Sequence, residues 1–200
     1  KELLDTIIDN KSVDHIEIGS IVSHKYIPQM KNSIDLYKYA CTINNEFNYF
    51  MLIPNIKACK IAIDNNIQNF SFITSVSNEF QKKNINKTLH ETNTDLKFMN
   101  NLVKTKFPES KIKIYVSCIN HCPIQGKINN DYIIKEIINI KMENNYDYLC
   151  LSDTCGNLHY NDFKYIIENL QDKLDFSKIS LHLHEQDDEE NIKKIIYFAY

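Results

Sequence analysis

The chain has 200 residues, 43% of them apolar and 24% charged, with a formal net charge of −3. This is enough apolar material for one large domain, and the charge argues against a nucleic-acid or membrane-surface partner. No apolar run reaches the ~18 residues of a spanning helix, no Arg is available for an anion clamp, and the 3 glycines (19, 126, 156) cannot form a Gly-rich phosphate loop.

Apolar periodicity predicts a first helix over 1–10, with Leu3, Leu4, Ile7 and Ile8 on one face, followed by a strand over 13–18. A helix over 34–44 leads to a strand over 49–53, stopped by Pro54, and a helix over 56–65 leads to a strand over 70–73. Lys82-Lys83-Asn84 is read as a basic loop that can meet an anionic substrate or serve as a solvated face. Helix Leu89–Lys106, closed by Pro108, leads to strand Ile112–Ser117. A helix over 131–143 leads to strand Tyr148–Ser152, a helix over 161–170 to a strand over 179–184, and a last helical pattern covers 189–200. The chain is rich in Asn, Ile and Lys, as an AT-rich genome would produce, so many Asn are expected to carry no chemical message.

The strands are short, β-branched and apolar on both faces, as parallel strands beneath helices are. Six βα units suit a doubly wound sheet or part of a (β/α)8 barrel, and a full barrel takes ~250 residues. All six strand ends carry polar residues, where a doubly wound sheet would gather them at one switch point. We therefore expect a single partial TIM-barrel catalytic domain over 1–200, with six parallel strands and the first and last strands missing. The 6 cysteines are too few for a disulfide scaffold of this size. Cys41, Cys59 and Cys150 are read as small core residues, which predicts a soluble protein of a reducing compartment.

His182-x-His184 is the sharpest local feature, because i and i+2 of a strand share a face. Two neutral imidazoles on one face suit a divalent metal, and the alternative is a buried, hydrogen-bonded pair. Asp153 ends the preceding strand and either orients substrate, acts as a base, or serves as a loop acceptor. Glu17 is read as a buried carboxylate needing a cation or donor, or a Lys pair at the rim. Cys118-x3-Cys122 lacks a second pair to complete a zinc site. Cys118 has only His121 as a local base, which favours a structural role.

Five segments together resemble the 3-hydroxy-3-methylglutaryl-CoA lyases. The stretch over 16–30, opening Ile16-Glu-Ile-Gly-Ser20, is similar to that family's strand-two loop. The stretch over 77–86 looks like the following substrate-side loop. Tyr115-Val-Ser-Cys118, running on to Pro123 with Gly126-Lys127, looks like the next strand-end signature. Ser152-Asp-Thr-Cys-Gly156 and His182-Leu-His184 follow in the family's order. The resemblance implies a (β/α)8 barrel that uses Mg or Mn to cleave 3-hydroxy-3-methylglutaryl-CoA, an acyl-CoA substrate, into acetyl-CoA and acetoacetate. It implies His182 and His184 as metal ligands, Asp153 and Glu17 as catalytic groups, and Ser20 and Asn84 as substrate-side groups. It also implies a homodimer for the complete protein, in the mitochondrial matrix or cytoplasm.

The family's first-strand Arg-Asp pair is expected before Lys1, and its Asn ligand and Cys-bearing Gly-rich loop beyond Tyr200, so the chain alone is expected to be inactive. After its histidines the family reads close to His-Asp-Thr-Tyr-Gly-Gln, whereas this chain reads His184-Glu-Gln-Asp-Asp-Glu189. The alternative class is a degenerate, non-catalytic relative acting as a binding or scaffold protein. An isopropylmalate or homocitrate synthase is a further alternative, and the motifs over 82–86 and 115–123 argue against it.

Overall fold

The computed structural model describes residues 1–10, 13–44 and 47–200. Helix α1 (Glu2–Asn10) buries Leu4 and Ile8 at i,i+4 spacing. Strand β1 (His15–Ser20), helix α2 (Ser33–Ile43), strand β2 (Asn48–Leu52), helix α3 (Ile56–Asp64) and strand β3 (Asn69–Ser75) follow. Helices α4 (Asn78–Ile85) and α5 (Leu89–Lys106) precede strand β4 (Ile112–Ser117). A small antiparallel hairpin pairs β5 (His121–Cys122) with β6 (Gly126–Lys127). Then come α6 (Asn130–Glu143), β7 (Tyr148–Ser152), α7 (Tyr160–Leu170), β8 (Ile179–His182) and α8 (Glu189–Ala199).

The six long strands stand in the order β1-β2-β3-β4-β7-β8, the strand order of a partial (β/α)8 barrel. Strands β1 and β2, β2 and β3, β4 and β7, and β7 and β8 pair in parallel. The contacts divide the chain into two compact units, one of residues 1–72 and 98–112, the other of 73–97 and 113–200. The first unit buries Phe50, Met51, Phe70, Phe72, Ala62 and Val103. The second buries Val116, Ile133, Ile137, Leu149, Phe163 and Ile166. Each fully buried side chain of this size is worth about 1.5–3 kcal/mol of transfer free energy.

The starts of α3, α4, α5 and α6 are set by side-chain caps. Asn55 Oδ1 accepts from Ala58 N at 2.9 Å, Ser77 Oγ from Phe80 N at 3.1 Å, and Asn129 Oδ1 from Tyr132 N at 3.1 Å. Thr88 and Glu91 form a capping box on α5: Glu91 Oε2 accepts from Thr88 N at 2.8 Å, and Thr88 Oγ1 accepts from Glu91 N at 3.2 Å. Asn55 and Asn129 are thus among the Asn that carry a definite structural message.

Several expectations need correction. Lys82-Lys83-Asn84 is not a loop but lies within α4, which Ser77 caps and which ends at Asn86 with φ 56°. Strand β1 starts at His15 and runs to Ser20, because its register on β2 shifts between Glu17 and Ser20. Three residues of β1 there oppose two of β2, and Gly19 takes φ 79°, the geometry of a bulge. The last strand ends at His182, so His184 lies beyond it. Cys41 is exposed and not part of the core, whereas Cys59 and Cys150 are buried. No described helix is long and apolar enough to cross a membrane.

Candidate functional site

In the first unit the expected residues sit at the end of β1. Glu17 is exposed, which overturns its reading as a buried carboxylate. Ser20 is buried, and its hydroxyl donates to Leu52 O at 3.2 Å while its N–H donates to Ser33 Oγ at 3.2 Å. A Cβ on Gly19 would lie 2.5 Å from Ser33 Oγ, so the bulge seats Ser33 against the end of β1.

In the second unit Asp153 follows β7, His182 ends β8 and His184 lies just beyond it. Ser152 pairs with His182, and Asp153 N donates to His182 O at 2.9 Å. The Nε2 atoms of His182 and His184 lie 3.2 Å apart, with the rings inclined at 79°. Both rings are exposed, so the pair is not buried, and their Nε2 atoms stand at hydrogen-bond distance from each other. Tyr115 of β4 packs edge-on to His182, with ring centroids 6.0 Å apart. Asn84 is exposed on α4.

The donor set of this pair fits two positions of a divalent-metal site. Two nitrogens held ~2.1 Å from one cation at right angles lie about 3 Å apart, close to the observed separation. Among the described residues no cluster of three or more His, Cys, Asp or Glu could complete a metal site.

Asp153 is 1% exposed and its carboxylate is heavily engaged. Oδ1 accepts from Asn157 N at 3.2 Å, and Oδ2 accepts from Leu158 N at 3.1 Å and Gln186 Nε2 at 2.9 Å. The carboxylate thus organises the turn after β7 and ties it to the segment after β8. Gly156, at φ 65°, lets that turn approach closely, since a Cβ there would meet Glu185 O at 2.4 Å. Gln186 was not singled out in the sequence; its partner lies 33 residues away, and no local pattern announces the bond.

The cysteine site behaves structurally. Burial pushes the Cys118 thiol up to about 12, so it stays protonated at neutral pH and is a poor nucleophile. Cys118 takes φ 66°, and its N–H donates to Thr154 Oγ1 at 2.8 Å. Burial, aided by the positive charge of Lys127, holds the His121 imidazole below its usual pKa.

A fold of βα units whose polar strand ends gather histidines and a carboxylate is that of the (β/α)8-barrel proteins. No family model matches the sequence. The solved Bacillus subtilis hydroxymethylglutaryl-CoA lyase superposes with a TM-score of 0.85 at 24% identity, covering 98% of this chain and 65% of that one. The Acinetobacter baumannii enzyme in complex with coenzyme A and 3-methylmalate gives 0.85 at 20% identity, covering 98% and 63%. In sequence, the hydroxymethylglutaryl-CoA lyase of Bacillus subtilis is 27% identical over 180 residues, 89% of this chain and 58% of the relative. The Pseudomonas aeruginosa 3-hydroxy-3-isohexenylglutaryl-CoA/hydroxymethylglutaryl-CoA lyase is 23% identical over 173 residues, 86% and 56%. The chain is similar in sequence to hydroxymethylglutaryl-CoA lyases and spans a little over half the length of these curated relatives. Relatives include bacterial and mitochondrial proteins.

Proposed function

We propose that this chain is part of a divalent-metal-dependent lyase that cleaves 3-hydroxy-3-methylglutaryl-CoA into acetyl-CoA and acetoacetate. The observation that carries the proposal is the approach of His182 and His184 to 3.2 Å, with the backbone N–H of Asp153 bonded to His182 O. The ligands held by the Acinetobacter baumannii relative, coenzyme A and 3-methylmalate, support an acyl-CoA bearing a short branched hydroxy acid as substrate.

In this reading the exposed His182 and His184 would hold Mg or Mn. Such a cation polarises the hydroxyl and carboxylate oxygens of the substrate. The tertiary hydroxyl then loses its proton to a base, the carbon–carbon bond breaks, and the enolate of acetyl-CoA takes up a proton. Glu17 and Asp153 are the acid–base candidates of this chain. Glu17 is the more accessible of the two, and the N–H donors around Asp153 fix its carboxylate in one orientation. Ser20 and Asn84 are proposed substrate-side groups. The relatives' length supports a larger complete protein, and the 200-residue chain alone is expected to cleave nothing measurable.

The test is acetyl-CoA release from 3-hydroxy-3-methylglutaryl-CoA by the full-length product of the gene, supplied with Mg or Mn. We expect metal-dependent release that falls at least 100-fold in His182→Ala. A full-length product that binds the metal and cleaves nothing would favour the degenerate, non-catalytic class, for which the acidic Glu185–Glu190 stretch is the supporting feature.

A further inference from the structure

His184 lies past the last residue of β8, and the ladder between β7 and β8 ends at the pair Ser152 and His182. His182 is therefore fixed by the sheet, whereas His184 is held by its 3.2 Å ring contact with His182 and by the segment that follows it. Three contacts bracket His184. Asp153 N donates to His182 O at 2.9 Å on one side. Gly156 leaves room for Glu185 O, which a Cβ would meet at 2.4 Å. Gln186 Nε2 donates to Asp153 Oδ2 at 2.9 Å on the other side.

Gln186 is in turn locked by Asn191. Asn191 Nδ2 donates to Gln186 Oε1 at 2.8 Å and to Leu158 O at 2.7 Å. Asn191 Oδ1 accepts from Tyr160 N at 2.8 Å, and Asn191 N donates to Asp188 Oδ1 at 3.0 Å as α8 begins. The two amide side chains thus staple the segment over 184–191 to the turn over 153–160 at both of its ends. Both are partly buried, where a hydrogen bond keeps more of its strength than in water.

We propose that Gln186 and Asn191 are positioning residues that hold the His184 imidazole in register with His182. The proposal rests on the reading of the two histidines as a metal pair. Groups that orient a metal ligand from behind usually cost 10–100-fold in metal affinity when removed. Gln186→Met keeps the length of the side chain and removes its amide, both the Oε1 acceptor and the Nε2 donor. Asn191→Ala removes the lock together with the bonds to Leu158 O and Tyr160 N, and leaves Gln186 its bond to Asp153.

The experiment is a calorimetric titration of the untagged chain with Ni(II), with the histidine ring signals followed by NMR. Wild type, His184→Ala, Gln186→Met and Asn191→Ala are compared. We expect His184→Ala to lose the site. We expect Gln186→Met and Asn191→Ala to weaken it about tenfold, to shift the His184 ring signals and to leave those of His121 in place. If His184→Ala loses the site while both amide variants bind as wild type does, the clamp is overturned and the metal pair stands. If His184→Ala binds as wild type does, the metal pair itself is overturned. If both amide variants unfold outright, their role is global stability, which also overturns a local clamp.

Discussion

Gly156 and Gly126 form a matched pair for testing how the turn after β7 is seated. Both have positive φ, 65° and 79°, so an alanine at either is strained by the backbone alone, at about 1–2 kcal/mol. They differ in their surroundings. A Cβ at position 126 meets nothing within 4 Å, whereas one at position 156 lies 2.4 Å from Glu185 O and 3.4 Å from His184 Cβ. The close atom at 156 is backbone, so the segment after β8 has to move, and forcing a methyl into such a contact costs about 1–3 kcal/mol more. For a chain of this size each kcal/mol lowers the melting temperature by about 2–4 °C. Gly126→Ala is expected to melt about 2–8 °C below wild type, and Gly156→Ala about 4–20 °C below it. Calorimetric melts of both variants measure this directly. Equal depression in the two would refute the close approach of the turn to Glu185.

The Tyr37 hydroxyl, pushed up to about 12 by burial, favours the folded state while neutral. That contribution is complete below the unfolded value of ~10 and is lost as pH rises toward 12, by about 2 kcal/mol. Urea titrations at pH 9 and 11 are expected to show a shallower alkaline loss in Tyr37→Phe, at a cost of about 1 kcal/mol at neutral pH because Gln68 N loses its acceptor. Burial also pushes the Cys59 and Cys118 thiols up to about 12. Iodoacetamide at pH 8 is therefore expected to reach the exposed Cys41 in the native chain, and Cys59 and Cys118 only after denaturation, as mass spectrometry of the peptides will show.

The parallel strands were legible because each is a short apolar run with a helical pattern on either side. Leu89–Lys106, Ile112–Ser117 and Tyr148–Ser152 fall at the bounds read from periodicity. Helix α4 was not legible, since Gln81 is its one buried side chain and no apolar stripe marks it; the Ser77 cap was its signal. The hairpin of β5 and β6 is two residues a side, below any periodic pattern. The extension of β1 to Ser20 depends on a bulge at Gly19, which only the pairing with β2 reveals. At the site, the two histidines were visible from their spacing, and the identity of their neighbours came through the family resemblance. The saturation of the Asp153 carboxylate by Leu158 and Gln186 was hidden, because it depends on a bond across 33 residues.

The claim at the centre of this account is that His182 and His184 bind one divalent cation between them. Addition of substoichiometric Mn(II) to the isotope-labelled chain tests it, since the paramagnetic ion broadens the signals nearest to it. The account predicts that the His182 and His184 rings broaden first, ahead of the other 5 histidines. Broadening centred on the acidic stretch Asp187–Glu190, with both rings left sharp, would contradict it.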